Sequence, residues 1–303
     1  VTAGTPTAPA GPRAAAGGGP AAAPAPGTGT GTGGTAGTAG GGEPELVAAG
    51  PAPLPRQRRH TQFFLATVRE FSPVFLDTEV DMTRVLAHRE AARAQSGVRY
   101  ATSAYVLRAA GRVLARHPDA NAALRGGLRT RVAHYPFVHG KLTLDKVLDG
   151  RRVVLGTVVP NLHEVGLAEI QAHLERVRDG DPQRLPDFEG IRRLHAAPWL
   201  VGRLRFRRAA RSLALRPHLT GTFAVTSLGH RAVDSFQSVG GTTTTFGVGR
   251  VLPRAVVRDG ELAVAPVLRL SLSFDHRAID GAQAADVLTE VKEALEQNDL
   301  ERT

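Results

Sequence analysis

Leu268-Arg269-Leu270-Ser271-Leu272-Ser273-Phe274-Asp275-His276-Arg277-Ala278-Ile279-Asp280-Gly281 is the stretch from which the rest of the chain is best read. Its first seven residues alternate apolar and polar, the period of a strand with one buried face. The alternation breaks at Asp275-His276-Arg277, and Gly281 opens a helical pattern running to about Gln297. A histidine just past a strand end stands on a rigid scaffold and faces a cleft, where a general base belongs. Imidazole takes a proton near neutral pH, and one ring nitrogen can be anchored while the other works. His276 is therefore the first candidate catalytic residue. Asp280, four residues on, is expected to fix the loop by pairing with an arginine. Taken alone, a histidine such as His276 is more often an ordinary loop or core residue, and the surrounding residues reverse that balance.

Working outward, two further strand patterns precede this one, Gly221 to Leu228 and Thr242 to Val251. Earlier come a helix over Arg58 to Phe71, a strand over Val74 to Met82, and a helix over Arg84 to Ala94 with Thr83 as its cap. An amphipathic helix over Ser103 to Arg116 stops at His117-Pro118. A β-rich stretch from Arg129 to Val159 turns at Asp149-Gly150, and Leu167 to Val177 is helical again. Helices alternating with strands, the longest strands late, predict an α/β fold of the α+β two-layer kind, a mixed sheet covered by helices. Residues 1–55 are almost all Gly, Ala, Pro and Thr. Such a stretch buries too little apolar surface to offset its ordering entropy, so it is expected to be a disordered linker or tail. Residues 56–303 are then the folded domain.

Composition removes several classes of function. The chain has 303 residues and no cysteine, which excludes disulfides, thiol nucleophiles and thiolate metal sites. The net charge of +10 comes mostly from arginine, and no nucleic-acid motif accompanies it, so no nucleic-acid partner is expected. No apolar run reaches the roughly 20 residues of a transmembrane span. The N-terminal stretch lacks a signal-peptide pattern, which makes a cytoplasmic location the expectation. No metal is expected.

The segment around His276 resembles the His-x-x-x-Asp-Gly signature of chloramphenicol acetyltransferases and of the catalytic domains of 2-oxoacid dehydrogenase dihydrolipoamide acyltransferases. It is more similar to the second group, whose usual wording is Ser-Phe-Asp-His-Arg-x-x-Asp-Gly-Ala. Other segments agree in order: Glu79-Val80-Asp81-Met82-Thr83, the helix ending His117-Pro118-Asp119-Ala120-Asn121, and Gly221-Thr222-Phe223-Ala224-Val225-Thr226-Ser227-Leu228-Gly229. The resemblance spans residues 58 to 297 and implies a chloramphenicol acetyltransferase-like fold, a homotrimer with active sites between subunits. It implies His276 as general base and direct transfer from a thioester, acyl-coenzyme A or an acyl-carrier thioester, to a small hydroxyl, amine or thiol acceptor. A hydroxyl on the Gly-Thr-Phe strand would donate to the oxyanion. Thr226 holds that place instead of the usual serine, with Ser227 beside it. Arg59, with Arg58 next to it, matches the family arginine that pairs with the motif Asp280. Asp275 and Gly281 complete the motif.

The chain also departs from the family pattern. No lipoyl domain precedes the linker, and Lys146 in Leu144-Asp145-Lys146-Val147 reads as a hairpin lysine, so lipoate is not expected on this chain. Gly156-Thr157-Val158-Val159-Pro160-Asn161-Leu162 replaces the family's Gly-Leu-x-x-Pro-Val. An Arg-rich insertion covers about 191–216. It is open to three readings: a docking surface for an acyl carrier protein or coenzyme A phosphates, a peripheral membrane helix, or a packed helical hairpin with a solvated Arg face. The polar C-terminus favours an isolated trimer over a cage. A stand-alone acyltransferase is expected. The rivals are the acyltransferase component of a dehydrogenase complex acting on dihydrolipoamide, and a non-catalytic trimeric scaffold.

Overall fold

The computed structural model describes residues 50–51, 53–126 and 129–297. Nearly all of the expected tail over 1–55, and the C-terminal residues 298–303, lie outside the described residues. In chain order the elements are α1 (Arg59–Val68), β1 (Pro73–Asp81), α2 (Thr83–Ser96), α3 (Thr102–Leu114), β2 (Ala123–Arg125), β3 (Arg131–Ala133), β4 (Gly140–Leu148) and β5 (Arg151–Val159). There follow α4 (Leu167–Asp179), α5 (Glu189–Ala196), α6 (Trp199–Arg211), α7 (Arg216–Thr220), β6 (Phe223–Ser227), β7 (Thr244–Arg258), β8 (Glu261–Asp275) and α8 (Gly281–Gln297).

Six strands form one mixed sheet in the order β1-β8-β7-β6-β4-β5, and β2 and β3 form a separate ribbon. β6 runs parallel to both β4 and β7, while the other neighbours are antiparallel. The alternation read in Leu268–Phe274 is realised in full. Leu268, Leu270, Leu272 and Phe274 point into the main core with Val80, Phe223, Val225, Phe246 and Val248, against α2, α3, α4 and α8. This is the expected two-layer arrangement. Each large side chain buried there contributes about 2 kcal/mol relative to an exposed one.

Some local readings shift for identifiable reasons. Thr83 is the first residue of α2 rather than its cap, and Asp81 Oδ1 accepts from the Thr83 N–H at 2.9 Å and from the Thr83 hydroxyl at 2.5 Å. The helix expected over Ser103 to Arg116 is buried on nearly every side rather than on one stripe. At Gly111 a Cβ would overlap Leu162, so glycine is what allows that close approach. β7 and β8 extend further than their apolar patterns, through a hairpin turn at Asp259-Gly260 with φ of 51° and 85°. Both signs are positive, as at the Asp149-Gly150 turn that the sequence revealed. The 191–216 insertion folds as three helices. Against it packs α1, which meets α5 and α6, with the Phe63 ring 6.0 Å from both Trp199 and Phe206.

Candidate active site

The face of the sheet turned away from α3 and α8 is polar. Register places Lys141, Ala224, Thr245 and Ser273 in one row across β4, β6, β7 and β8, and Thr143, Thr226, Gly247 and Ser271 in the next. A polar residue in such a row has to be hydrogen-bonded or left open to water. The segment joining β6 to β7 supplies partners: the Phe236 carbonyl accepts from the Ser271 hydroxyl at 2.5 Å, and Thr245 Oγ1 accepts from the Gly240 N–H at 3.0 Å. That segment lies so close to the sheet that a Cβ at Gly247 or Gly249 would overlap its backbone. Over β1 the same face is open, with Pro73, Phe75, Asp77 and Glu79 exposed.

His276 follows the last residue of β8 and is anchored by its backbone N–H, which donates to the Ser72 carbonyl at 2.9 Å. Its side chain is half-exposed, and Nδ1 lies 3.5 Å from Asp280 Oδ1. At that distance the carboxylate acts through its charge more than through a short hydrogen bond. Asp280 itself is 84% exposed.

The loop is fixed by a different pair from the one expected. Asp275, 2% exposed, receives Arg277 Nη2 at 2.6 Å and Nε at 2.9 Å, and also accepts from the backbone of Ser72 and Arg277. A bidentate Arg–carboxylate contact of this kind holds geometry as well as charge. Arg59 is directed elsewhere: its Nη1 donates to the His195 and Ala197 carbonyls at 3.2 and 3.0 Å. The free carbonyls at the end of α5 attract a guanidinium through the helix dipole, which accounts for the difference. Gly281 begins α8 as read, and a Cβ there would meet nothing.

Thr226 sits in β6 beside Thr143 and Gly247, half-buried, with Ser227 next to it at the strand end. Within one chain Thr226 does not meet His276. It is in register with Ser271, two strands across and five residues before His276, a separation of roughly 20 Å at strand spacings.

The burial of three cationic or basic groups, Lys141, Arg216 and His195, escaped the sequence reading. Lys141 is buried, donates to the Gly240 carbonyl at 2.6 Å and lies 4.9 Å from the Phe64 ring centroid. Burial, with Arg216 adding repulsion, lowers its pKa to about 8. Arg216, one of the insertion's arginines, is also buried rather than solvated. His60 and His195 share a 2.9 Å contact, and burial pushes His195 down to about 4. A lone lysine in a strand and two histidines 135 residues apart carry no periodic signal that would have marked them. Lys146 donates to the Arg178 and Gly180 carbonyls at the end of α4, a structural role. Among the described residues no cluster of His, Asp and Glu could hold a metal, and no helix is long and apolar enough to cross a membrane.

The family model for the 2-oxoacid dehydrogenases acyltransferase (catalytic domain) matches residues 202–301. The dihydrolipoyllysine-residue acetyltransferase component of the pyruvate dehydrogenase complex of Bacillus subtilis is 27% identical over 231 residues, covering 73% of this chain and 44% of that protein. The chain thus spans less than half the length of this relative. Among solved structures, a probable dihydrolipoamide acetyltransferase from Listeria monocytogenes superposes with a TM-score of 0.63 at 19% identity, covering 85% of this chain and 99% of the other. Dihydrolipoamide acetyltransferase from Azotobacter vinelandii, studied for the catalytic role of a serine, a histidine and an asparagine, gives 0.62 at 22% identity, covering 84% and 96%. These structural likenesses establish the fold.

Proposed function

We propose that this chain, whose residues 202–301 match the catalytic-domain model of the 2-oxoacid dehydrogenases acyltransferases, is an acyltransferase of that kind and transfers an acyl group between a coenzyme A thioester and a small thiol or related acceptor. A dihydrolipoamide-type thiol is the acceptor that the relatives' names point to. The observation that carries the reading is the half-exposed His276 at the end of β8, its Nδ1 turned to Asp280 and its loop locked by Asp275 and Arg277. In the Azotobacter protein the studied histidine and asparagine are also four positions apart.

The chemistry then runs as follows. His276 Nε2 takes the proton of the acceptor thiol, and the sulfur attacks the thioester carbonyl. The tetrahedral oxyanion accepts a hydrogen bond from the Thr226 hydroxyl. Collapse expels the coenzyme A thiolate, which recovers the proton from His276, and no acyl-enzyme forms. The roughly 20 Å between Thr226 and His276 within a chain means that Thr226 has to come from a neighbouring copy. A homotrimer with sites between subunits satisfies this requirement.

The test measures coenzyme A release from acetyl-coenzyme A and short acyl homologues with dihydrolipoamide as acceptor. His276→Ala is expected to lower turnover by about 10³-fold, within the range for a general base, while light scattering still gives a trimer. Undiminished turnover in that variant would remove the mechanism, and a monomeric, active wild type would remove the shared site.

A further inference from the structure

A cavity of about 240 Å³ opens between α1 and α6 beside the His276 loop. Its lining includes six guanidinium groups, from Arg125, Arg203, Arg207, Arg211, Arg216 and Arg277, and a single carboxylate, Glu70. That carboxylate is already engaged by Arg211 at 3.3 Å. Arg277 is matched by Asp275, but Arg216 is not matched in the same way. Its guanidinium is 9% exposed and donates only to carbonyls, those of Leu124 and Gly241, both at 2.8 Å. Asp275 and Glu70 act on it through space alone.

The cavity has a particular construction. The Phe71 ring is in cation–π range of both Arg216 and Arg277, with their Cζ atoms 5.6 and 5.4 Å from its centroid. Stacking of this kind holds guanidinium planes in place without neutralising them. Behind Phe64, another wall of the cavity, Lys141 is a second buried cation bonded only to a carbonyl. Two buried cations without a hydrogen-bonded anion are costly, and a bound anion would lower that cost. Arg203 and Arg207 stand exposed on α6 at the rim, where they could close around a ligand.

We propose that this cavity is a binding site for the phosphoryl group of a small molecule, with Arg216 and Arg277 at its base and Arg203 and Arg207 at its mouth. A phosphomonoester or diphosphate carries about two negative charges and several acceptor oxygens, which suits converging guanidinium forks better than a single carboxylate does. Phosphoryl binding here is read without turnover, so its failure is distinguishable from failure of the acyl-transfer reading.

Calorimetry and thermal shift on the full chain, carrying His276→Ala to exclude turnover, would test it with inorganic pyrophosphate as probe. Binding is expected, and the exposed pair Arg203→Glu/Arg207→Glu should weaken it about tenfold or more with no loss of the unliganded melting temperature. Coenzyme A and its 3′-dephospho form, run in parallel, separate the two sources of the group. Binding of coenzyme A that is lost in the double variant assigns the site to the coenzyme, to its 3′-phosphate if the dephospho form binds more weakly and to its diphosphate if both forms bind alike; binding of pyrophosphate with neither coenzyme form bound assigns it to a free phosphorylated compound. Equal pyrophosphate affinity in the wild type and the double variant, or a thermal shift that chloride at matched ionic strength reproduces, would overturn the proposal.

Discussion

The two faces of the six-stranded sheet follow opposite rules. Toward α3 and α8, β8 presents Leu268, Leu270, Leu272 and Phe274, and the layer is held by apolar area. On the other face the same strand presents Ser271, Ser273 and Asp275, all buried and all polar. Ser271 and Asp275 are held by directed bonds, to the Phe236 carbonyl and to Arg277, while Ser273 Oγ has no partner among the described residues. The first face needs only side chains of about the right size. The second depends on where particular donors and acceptors lie, and it bears Thr226 and leads into His276.

The contrast can be broken most sharply at Thr226. Thr226→Val keeps the β-branched shape and removes only the hydroxyl. It is expected to lower turnover by about 10² to 10³-fold, the cost of one oxyanion donor, with the melting temperature nearly unchanged. Thr226→Ser should restore most of the rate. Trimers assembled from His276→Ala and Thr226→Val chains together should recover activity, because each mixed ring contains one interface with both groups intact. Absence of recovery would mean that the two residues do not serve one shared site.

The apolar face was legible in the sequence, and the polar face was legible only where it carried a motif. The period-2 pattern of Leu268–Phe274 and the Asp149-Gly150 turn follow from local rules, and both appear as read. His276 and Gly281 were found through a string of neighbours. Arg59 was matched by position, yet its guanidinium is drawn to the carbonyls ending α5. That contact spans 136 residues or more, and an insertion creates it, so no local rule anticipates it. The Asp275–Arg277 pair lay inside the motif, but its role needed the geometry of the β8 end. The burial of Lys141 and Arg216 had no local signal, because nothing nearby in sequence says they are covered.

Next in size is an effect of acid on the join between α1 and β5. His60 bridges the Val154 carbonyl, at 3.0 Å, and His195, at 2.9 Å. Burial foremost, with repulsion from His60, holds His195 at about 4. Its folded pKa lies below the ordinary value, so the unfolded chain binds more protons between pH 6.5 and 4, and stability falls as pH drops through that window. The full loss attributable to this group is about 3 kcal/mol. His195→Gln should flatten that part of the pH–stability curve, measured by urea unfolding. An unchanged slope would show that the pair does not hold the two elements together.

The smallest expected effect concerns Lys141, the one ammonium on the polar rows. Its folded pKa of about 8 lies below the ordinary lysine value, so its charged form opposes folding. The opposition is complete below pH 8 and fades as pH rises toward the unfolded pKa of about 10.4. Lys141→Met keeps the length of the chain and removes the charge. At pH 7 it should stabilise the protein by about 1 to 3 kcal/mol, as expected when a buried cation without a carboxylate partner is replaced by an apolar side chain. The gain should shrink as pH rises from 8 to 10. If the variant is instead destabilised at pH 7, the bond to the Gly240 carbonyl outweighs the cost of burying the charge. The polar face would then be held together by its cations rather than in spite of them.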